Sequence, residues 1–532
     1  MLASSTKLVR LATYTRLSRC TSTARRAAPI RKMSSAVPTV EIGSYSVPVG
    51  LFVGGQFVPG HGDSLDTVNP ATEETLGTVQ TANQADVDNA VAIARECFET
   101  TWGTNTAGTE RGRLMFKLAD LMDAATEELA AIECADSGKP ISWCKADIGD
   151  ATTCLRYFAG AADKIQGATI EVDDRQKYAS VRKEPIGVVL QICPWNYPIV
   201  MWSWKVAPAL AAGCAIIFKP AENTPLSTLK LAELVHEAGY PAGAFNVLNG
   251  LGKTTGQLLV EHMDIDKVAF TGSTAVGRQI AITAAKTNLK RVTLELGGKS
   301  PNIVFASANL KEAAKWAAFG VFENMGQSCT AGSRVLVQES IYDEFIKLFV
   351  QAAQAVKVGN PLDADTFMGA QISKTHFERI MGYIEKGKQQ GAKVATGGVR
   401  KGTKGYFVEP TIFENVSQEN AIAIDEIFGP VAAVIKFKDE AEAIQIANAT
   451  DYGLAAGVHS TDVNQIHRVT RRIKAGTVWI NQYVAADAKI PFGGYKQSGW
   501  GRELGLQGLE AYLETKSVHH YYGDDLDWPI IL

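Results

Sequence analysis

Residues 186–222 read IGVVLQICPWNYPIVMWSWKVAPALAAGCAIIFKPAE and change their hydrophobic pattern twice. A short apolar run at 186–192 predicts a buried strand, the longer apolar segment at 199–212 predicts a helix, and 215–218 predicts a second strand. The alternation continues with a predicted helix at 226–238 and strands at 245–248, 267–270 and 292–296. Strands separated by helices predict an α/β fold with a parallel sheet covered on both faces.

Parallel sheets of this kind bind ligands beyond the carboxyl ends of their strands. The residues that follow or close a predicted strand, and so belong to that edge, are Asn196, Lys219, Glu222, Gly272 and Glu295. The sequence therefore predicts a binding or catalytic site at one edge of the sheet.

The flanking segments predict further elements. Residues 84–168 carry apolar side chains at helical spacing, and a second αβ block runs from about 298 to 500 after a predicted hinge at Gly297-Gly298. The tail at 511–532 contains a predicted strand at 513–522. A lone strand must pair with another strand, and because a second subunit is one solution, we expect an oligomer.

Composition and charge narrow the class of protein. The 532 residues suffice for two or three domains, and 46% hydrophobic with 20% charged residues is ordinary for a globular protein. Without the eight basic side chains of residues 1–32, the formal net charge falls from −3 to −11. An acidic body argues against nucleic-acid binding, and the absence of an apolar run of spanning length argues against a membrane protein.

The first 32 residues are rich in Arg, Ser, Thr and Ala, and the first acidic residue is Glu41. This composition predicts a mitochondrial targeting peptide and a location in the mitochondrial matrix, with a disordered basic tail as the alternative. Met33 could start a second, untargeted cytosolic product.

The cysteines and histidines show no metal-binding or disulfide pattern. The eight cysteines include no CxxC pair, which predicts free thiols in a reducing compartment. The eight histidines form no HExxH and are not spaced with cysteine as in zinc sites, so we predict no metal.

Two residues have the context of catalytic groups. Cys329 lies in Asn324-Met-Gly-Gln-Ser-Cys-Thr-Ala-Gly-Ser333, among small and polar residues, where a thiolate would be an accessible nucleophile. A structural cysteine fits this context about equally well. Glu295 lies between two leucines at a predicted strand end, where apolar surroundings raise a carboxyl pKa and suit a general base. An exposed charge on an edge strand is the alternative.

A glycine-containing turn in Phe270-Thr-Gly-Ser-Thr-Ala-Val-Gly277 joins a predicted strand to a predicted helix. Glycine lets the backbone approach a phosphate, and a helix N-terminus favours the anion, although the Gly-x4-Gly spacing differs from GxGxxG. Gly250-Leu-Gly-Lys-Thr-Thr255 is no ATP-binding loop, because Val247 stands where that motif needs its first glycine.

Seven segments, in their order and spacing, resemble the aldehyde dehydrogenase superfamily over nearly all of 50–520. They are Pro194-Trp-Asn-Tyr-Pro198, Lys219-Pro-Ala-Glu222, Phe270-Thr-Gly-Ser273, Leu294-Glu-Leu-Gly-Gly-Lys-Ser-Pro301, Gly326-Gln-Ser-Cys329, Glu426-Ile-Phe-Gly-Pro430 and Pro491-Phe-Gly-Gly-Tyr-Lys-Gln-Ser-Gly499. The resemblance implies a Rossmann-type NAD-binding domain formed by 35–166 and 186–297 and an α/β catalytic domain at 298–500. It also implies oligomerisation strands at 167–185 and 511–522, and hence a dimer or a homotetramer.

The resemblance further implies oxidation of an aldehyde to a carboxylic acid with reduction of NAD. Cys329 resembles the nucleophile, and Asn196 resembles the residue whose amide, with the Cys329 N–H, holds the oxyanion of the thiohemiacetal. Hydride transfer to NAD leaves a thioester, and Glu295 resembles the base that activates water to hydrolyse it. Lys205 and Glu503 resemble a pair that relays protons to Glu295.

The resemblance assigns cofactor contacts to Trp195, Lys219, Glu222, Gly252, Gly256, Phe270, Gly272, Ser273, Val276, Gly277, His376, Glu426 and Phe428. Lys219 and Glu222 resemble the ligands of the adenosine ribose. A carboxylate there accepts hydrogen bonds from the 2′-hydroxyl and repels a 2′-phosphate, so we expect NAD rather than NADP. Ala275 and His376 replace the Glu and Gln that are usual in close relatives.

The residues expected to line a substrate tunnel by the same resemblance are Tyr197, Val200, Met201, Trp204, Glu323, Ser328, Thr330, Val484, Ala486 and Phe492. Their aromatic rings suit an apolar or a cationic substrate. Glu323 would attract an amino-aldehyde if it faces the tunnel; alternatively it points away or pairs with a lysine. Val484 and Ala486 are small, so aryl or indolyl aldehydes also fit.

Two other functions remain as alternatives. A coenzyme A-acylating aldehyde dehydrogenase would keep Cys329 without needing Glu295, and a non-catalytic NAD-binding structural protein would need neither residue nor Asn196. The presence of all three argues against both alternatives.

Overall fold

The computed structural model describes residues 37–172 and 175–523. The targeting peptide predicted at 1–32, the alternative start at Met33 and the end of the tail lie outside these ranges. The strands, in chain order, are β1 (Thr39–Ile42), β2 (Tyr45–Pro48), β3 (Leu51–Val53), β4 (Gln56–Val58), β5 (Leu65–Asn69), β6 (Glu74–Val79), β7 (Ala168–Glu171), β8 (Lys177–Pro185), β9 (Val188–Ile192), β10 (Ala215–Lys219), β11 (Phe245–Val247), β12 (Lys267–Thr271), β13 (Arg291–Glu295), β14 (Pro301–Val304), β15 (Arg334–Gln338), β16 (Lys393–Thr396), β17 (Thr411–Glu414), β18 (Val431–Phe437), β19 (Ala455–His459), β20 (Thr477–Ile480), β21 (Gly499–Trp500) and β22 (Leu513–Tyr521).

Helices alternate with the strands over most of the chain. They are α1 (Gln84–Thr100), α2 (Gly108–Ala124), α3 (Thr126–Ser137), α4 (Ile141–Ala161), α5 (Pro198–Ala212), α6 (Leu226–Ala238), α7 (Gln257–Glu261), α8 (Thr274–Lys286), α9 (Leu310–Phe322), α10 (Tyr342–Gln354), α11 (Lys374–Gln389), α12 (Ala421–Ile424), α13 (Glu440–Asn448), α14 (Val463–Thr470) and α15 (Gly505–Glu510). The helical stretch expected at 84–168 is four helices that end at Ala161, because turns interrupt the pattern, one of them at Gly138 in the left-handed conformation. Within the described ranges, no helix combines the length and the apolar character that crossing a bilayer requires.

An eight-stranded sheet forms the first domain, in the order β21-β13-β12-β9-β10-β11-β3-β4. The central strands β13, β12, β9, β10 and β11 are parallel, and β21, β3 and β4 add antiparallel edges. The α/β class and the parallel sheet expected from the sequence are thereby confirmed. Predicted and observed strand ends in this sheet differ by one or two residues.

The two faces of this sheet pack against different helices. Val268 and Phe270 of β12 belong to the apolar cluster that includes α1, α7 and α8, whereas Ala269 belongs to the cluster that includes α5 and α6. Successive residues of a strand point to opposite faces, so odd-numbered residues of β9, β12 and β13 face α5.

Helix α5 is a buried, mostly apolar helix that packs against the first sheet. It begins directly after Tyr197, with Pro198 at its first position, and ends at Gly213, whose φ of 97° is left-handed. Proline suits a first helical turn and glycine suits a left-handed end, which explains why the sequence predicted this helix to within one residue. All of its residues are buried, so its position between α4 and the sheet is fixed by packing.

The second domain contains a seven-stranded sheet in the order β16-β17-β18-β15-β14-β19-β20. All of its pairings are parallel except β16 with β17. Cys329 lies between α9 and β15, in a loop of this domain. β21 returns to the first sheet and pairs with β13, so the end of the block expected at 298–500 belongs to the first sheet rather than the second.

A third sheet, antiparallel and three-stranded in the order β22-β8-β7, is separate from the sheets of the two domains. β22 pairs with β8 along its whole length, from Leu513↔Pro185 to Tyr521↔Lys177. The predicted tail strand, for which pairing with another subunit was one solution, pairs within its own chain, because 177–185 forms a strand of matching length. β7 lies at the other edge with all four residues exposed.

Candidate active site

A cavity of about 970 Å³ opens at the carboxyl edge of the first sheet and takes its walls from both domains. Four predicted catalytic residues line it: Asn196, Glu295, Cys329 and Glu503. All ten predicted substrate residues also line it, as do six of the predicted cofactor residues: Trp195, Gly272, Ser273, His376, Glu426 and Phe428. The remaining predicted residues, Lys205, Lys219, Glu222, Gly252, Gly256, Phe270, Val276 and Gly277, are not among its lining residues.

The loop before Cys329 has a strained backbone. Asn324, Met325 and Gly326 have consecutive left-handed φ values of 47°, 59° and 72°. Two of the three are not glycine, and such residues cost about 1–3 kcal/mol each unless the surroundings hold them. A Cβ at Gly326 would lie 2.2 Å from the carbonyl carbon of Gly429, so only glycine fits there.

Hydrogen bonds hold this loop in place. Asn324 Nδ2 donates to the carbonyl oxygens of Asn196, at 2.8 Å, and Gln327, at 3.1 Å. Gln371 Nε2 donates to the Met325 carbonyl at 3.1 Å. The strain is therefore offset by contacts that also tie the loop to Asn196, which lies just before α5.

Cys329 differs from the other described cysteines. It is partly exposed, whereas the buried ones are Cys97, Cys134, Cys144, Cys154, Cys193 and Cys214. Burial of the sulfur and the nearby carboxylates of Glu426 and Glu295 raise the pKa of its thiol above the ordinary value. The resting thiol is therefore protonated at neutral pH, and a base must accept its proton before the sulfur can attack a carbonyl carbon.

Asn196 offers a hydrogen-bond donor beside Cys329. Its Nδ2 donates to the carbonyl oxygen of Gln327 at 2.8 Å, two residues before the thiol. A side-chain amide carries two N–H groups, so a second donor remains for an oxygen atom in the cavity. This is the arrangement that an oxyanion pocket requires.

Glu295 ends β13 and is buried at the cavity wall. Burial raises its pKa well above the ordinary value, the charge of Glu503 raises it further, and Lys205 and Arg502 act in the opposite direction. Its Oε2 is buried and has no hydrogen-bond partner within the described part of the chain. A carboxylate with a raised pKa is a stronger base than an ordinary one, which suits Glu295 to accept a proton.

Lys205 and Glu503 form a buried ion pair behind Glu295. Lys205 Nζ contacts Glu503 Oε1 and donates to Thr271 Oγ1 at 2.6 Å. Burial is the largest single cause and disfavours the ammonium ion, but the charges of Glu503, Cys193 and Glu295 and the hydrogen bond to Glu503 together outweigh it and raise the pKa of Lys205. The pair thus connects the wall of the cavity to the interior of the first domain.

An aromatic cluster forms the wall on the side of the predicted cofactor contacts. The ring of Trp195 lies edge-on to His376, with centroids 5.1 Å apart, and to Phe428 at 5.3 Å. Burial lowers the pKa of His376 to about 4, so the imidazole is neutral and donates from Nε2 to the Phe428 carbonyl at 2.7 Å. This wall is uncharged and suits contact with a planar ring of a bound cofactor.

The polar groups on this side fit a dinucleotide. Ser273 caps α8 by accepting from the Val276 N–H at 3.4 Å, and the free N–H groups of that helix end suit a phosphate. Lys219 Nζ is buried and lies 3.7 Å from the Glu222 carboxylate, whose side chain is 42% exposed. A donor beside an acceptor suits the two hydroxyls of a ribose, and the residues present therefore fit NAD.

Glu426 supplies a second carboxyl group on the same side. It accepts a hydrogen bond from the Gly298 N–H at 2.9 Å, and burial raises its pKa to about 7. It lies close enough to Cys329 to raise the pKa of that thiol. The segment 252–256, which contains Gly252 and Gly256, forms a turn beside Lys219, with a Cβ at Gly256 only 3.6 Å from Lys219 Cε.

Glu323 lies in the wall on the side of the predicted substrate contacts. Tyr197 donates a hydrogen bond of 2.5 Å from its hydroxyl to Glu323 Oε2. The nearby lysine, Lys139, pairs instead with Asp147 and Glu133. The sequence left open whether the Glu323 side chain faces the tunnel, and in the structure it faces the cavity. Burial raises the pKa of Glu323 to about 7.

Sequence reasoning missed one wall of the cavity. Trp143, Asp147 and Asp150 of α4 line it, and Trp143 packs edge-on against Phe319 at 5.8 Å. Their spacing places them on one face of a helix, which is the signal that could have identified them, but no motif marks that face as part of the site. Within the described ranges, no group of three or more His, Cys, Asp or Glu side chains is arranged to hold a metal ion.

Comparison with known proteins shows the family to which the chain belongs. The model of the aldehyde dehydrogenase family matches residues 57–518. An aldehyde dehydrogenase of Emericella nidulans is 54% identical over 93% of this chain and 100% of its own length. The solved NAD+ complex of an aldehyde dehydrogenase from Bacillus cereus is 47% identical, with a TM-score of 0.87 over 89% of this chain and 97% of that chain. A betaine aldehyde dehydrogenase from Staphylococcus aureus, solved with NAD+, is 40% identical, with a TM-score of 0.89 over 91% of this chain and 97% of that chain.

Proposed function

Because the chain belongs to the aldehyde dehydrogenase family and oxidises aldehydes with NAD, we propose that Cys329, Glu295 and Asn196 carry out the reaction. The observation that supports this proposal is their meeting in one cavity: a partly exposed thiol, a buried carboxyl group and an amide with a free N–H. The product is the carboxylic acid.

The cofactor would be held by Lys219 and Glu222 at the ribose, by the α8 N-terminus after Ser273 at the phosphates, and by the aromatic cluster of Trp195 and Phe428. When bound, NAD supplies the acceptor for the hydride that leaves the aldehyde carbon. The partly exposed Glu222 carboxylate would repel a 2′-phosphate, so we expect NAD to give the higher kcat/KM than NADP.

In the first step Glu295 accepts the thiol proton of Cys329, and the thiolate attacks the aldehyde carbon. The carbonyl oxygen becomes an oxyanion, which the free N–H of Asn196 and the backbone N–H of Cys329 stabilise. Each such donor is typically worth about 3–4 kcal/mol in the transition state. After oxidation, the acyl group remains on Cys329 as a thioester.

In the second step Glu295 accepts a proton from water, and the resulting hydroxide attacks the thioester. The carbon–sulfur bond breaks, and Cys329 takes back a proton or remains as the thiolate for the next turnover. The buried pair of Lys205 and Glu503 accepts the proton that Glu295 must release.

Pre-steady-state NADH formation by the purified full chain tests these roles. We expect Cys329→Ala to form no NADH. Because Glu295 serves both steps, Glu295→Gln should form its first NADH per site more slowly than the wild type and then turn over about 10²–10⁴-fold more slowly. Cys97→Ala, a buried cysteine remote from the cavity, is the matched control and should behave like the wild type. If coenzyme A restored the turnover of Glu295→Gln and accelerated the wild type, the acylating alternative would replace this proposal.

For the substrate, we propose an aldehyde that carries an ammonium group. Glu323, Asp147 and Asp150 line the same cavity, and Lys139 neutralises only part of that negative charge. Aromatic rings next to carboxylates favour a cation over a neutral chain of equal length. The Staphylococcus aureus neighbour is named for a cationic aldehyde, which supports the same class.

Matched pairs of aldehydes test this class, for example 3-aminopropanal against butanal. We expect Glu323→Gln to raise KM for the cationic member about tenfold and to leave KM for the neutral member unchanged. Because the pKa of Glu323 is about 7, the carboxyl group is neutral below pH 7 and anionic above it. KM for 3-aminopropanal should therefore fall as pH rises from 6 to 8, and equal preference for butanal at every pH would reject the proposal.

We further propose that residues 1–32 direct the protein to the mitochondrial matrix and that the mature protein is a homo-oligomer, either a dimer or a tetramer. The basic, acid-free composition of residues 1–32 supports the first, and the exposed edge strand β7 supports the second. N-terminal sequencing of the native protein tests the first: a single unprocessed Met1 species would reject the targeting peptide and the product starting at Met33.

A further inference from the structure

A tyrosine to which the proposed mechanism gives no role lies in the cavity wall near the nucleophile. Tyr483 lines the cavity, although only 1% of its surface is exposed. It belongs to residues 481–488, which follow β20 and place Val484 and Ala486 in the same wall. We call residues 481–488 the substrate segment.

The hydroxyl of Tyr483 holds the backbone on the C-terminal side of Cys329. It donates a hydrogen bond of 3.0 Å to the carbonyl oxygen of Thr330, the residue that follows the nucleophile. Among the described residues, no other hydrogen-bond donor contacts this carbonyl. Burial raises the pKa of Tyr483 above its ordinary value, so the hydroxyl keeps its proton and remains a donor. Because a buried carbonyl group needs such a partner, the bond restricts the orientation of the peptide next to Cys329.

The ring of Tyr483 has little freedom to move. A Cβ would lie 2.7 Å from Tyr483 Cδ1 if added at Gly320, 2.9 Å from Cζ at Gly332, and 2.7 Å from Cδ2 at Gly457. The space for the ring therefore depends on three glycines, which lie in α9, in the loop before β15 and in β19. The ring of Trp479 packs against it, with centroids 4.8 Å apart. The packing of the ring thus determines where the hydroxyl lies.

The substrate segment is also held by bonds that do not involve this hydroxyl. Asn481 and Val484 have left-handed φ values of 54° and 69°, which is strained for a β-branched valine. The side chain of Asn481 bonds to both backbone groups of Ser460, each at 3.0 Å. Trp479 Nε1 donates to the Ala485 carbonyl at 2.8 Å. Removal of the Tyr483 hydroxyl should therefore leave the segment in place.

A hydrogen bond from a buried tyrosine does not by itself indicate a functional role, because buried tyrosines usually find a partner. Tyr342 in the same domain accepts a hydrogen bond from the Asn415 N–H at 2.8 Å and is not among the residues that line the cavity. Tyr483 differs because its partner belongs to the residue next to Cys329 and because it lines the cavity itself.

We propose that Tyr483 is a positioning residue for Cys329, which keeps the thiol and the Cys329 backbone N–H aligned with the aldehyde by holding the Thr330 carbonyl. The left-handed loop at Asn324–Gly326 holds the other side of the nucleophile. A small displacement of reacting atoms lowers the rate of reaction even where the substrate still binds. Tyr483 should therefore affect the rate of oxidation and not the affinity for the aldehyde. The inference rests on the proposed role of Cys329.

Pre-steady-state NADH formation by the full chain tests this role in Tyr483→Phe, which keeps the ring and loses only the hydroxyl. We expect the rate constant for the first NADH to fall about tenfold at saturating butanal and NAD. The concentrations of butanal and NAD that give the half-maximal rate should stay the same. The amplitude should also stay the same, because it counts the folded sites, whereas a loss of structure would lower it.

Gly320→Ala moves the hydroxyl instead of removing it. The three atoms nearest to the added Cβ all belong to Tyr483, and alanine is otherwise favourable inside α9. We expect this variant to form the first NADH more slowly than the wild type. The double variant with Tyr483→Phe should be no slower than Tyr483→Phe alone, because the hydroxyl through which the alanine acts is already absent.

The matched control is Tyr342→Phe, which also removes a buried hydroxyl that bonds to the backbone. It should keep the wild-type rate constant, and an equal loss there would overturn the inference, because any buried hydroxyl would then have the same effect.

The other outcomes are also distinguishable. A wild-type rate constant in Tyr483→Phe overturns the inference, whether or not the amplitude falls. Further slowing in the double variant overturns it as well, because Gly320→Ala would then act independently of the hydroxyl. If instead Cys329→Ala still formed NADH, the proposed function would fail before the inference was reached.

Discussion

At the scale of single residues, the site is governed by burial of groups that must lose protons. Cys329 and Glu295 both have raised pKa values, and in each case burial is the largest cause. The charge of Glu295 also raises the pKa of the Cys329 thiol, so the ionised carboxylate opposes ionisation of the thiol. Activity should therefore rise with pH through the range in which Glu295 becomes able to accept a proton.

The pH profile of kcat/KM should shift in opposite directions in two variants. The charge of Glu503 raises the pKa of Glu295, so Glu503→Gln should move the rising limb to lower pH. The charge of Lys205 lowers that pKa, so Lys205→Met should move the limb to higher pH. Profiles between pH 5 and 9 with a neutral aldehyde measure both shifts, and shifts of the same sign would contradict the electrostatic account.

Residues within motifs could be predicted from the sequence, whereas residues of the supporting wall could not. Cys329 and Asn196 each lie in a distinctive short segment, but Asp147 and Asp150 lie in an ordinary helix pattern. Asp147 is 182 positions before Cys329 in the sequence, and only the packing of α4 against the cavity brings it close. The spacing of Asp147 and Asp150 on one face of that helix is a signal that went unused.

At the scale of elements, the loop at Asn324–Gly326 is the part with least freedom to change. Its left-handed residues are held by Asn196, Gln327 and Gln371, so the loop and the oxyanion donor share hydrogen bonds. A change in the loop should therefore alter catalysis as well as stability.

We expect Gly326→Ala to lower kcat strongly and to reduce the free energy of unfolding by about 1–3 kcal/mol, because its Cβ would clash with the Gly429 carbonyl. Gly382→Ala is the matched control: this glycine lies inside α11 with open space around its Cβ position. There alanine should stabilise the protein by about 0.5–1 kcal/mol. Denaturant unfolding and steady-state kinetics measure both, and a fully active Gly326→Ala would contradict the role given to the loop.

Individual helices and strands could be predicted from the sequence more readily than the pairing between strands. Pro198 and Gly213 marked the two ends of α5, so that helix was predicted to within one residue. The tail strand β22 was also predicted, but its partner β8 lies more than 300 residues earlier. Nothing in a single sequence specifies such distant pairing, and this is why the sequence left the partner of this strand open, with another subunit as one solution.

At the scale of the whole molecule, the three-stranded sheet leaves β7 as a free edge with Ile170 47% exposed. Exposed edges are sites of strand pairing between chains. We expect light scattering to give the molar mass of an oligomer for the wild type. The substitution Ile170→Lys should lower that measured mass towards the mass of a smaller oligomer or a monomer. Val463→Lys, an equally drastic change on exposed α14, should have no effect. A monomeric wild type would contradict the expectation.

The catalytic groups are also divided between the two domains. Glu295 ends a strand of the first sheet, Cys329 lies in a loop of the second, and Glu503 lies in the segment that returns to the first. The distance between nucleophile and base is therefore set by how two folding units meet, not by either unit. In evolutionary terms, selection for this reaction requires both units in one protein. An ancestor that consisted of one unit alone would have been retained for another property, such as binding a nucleotide.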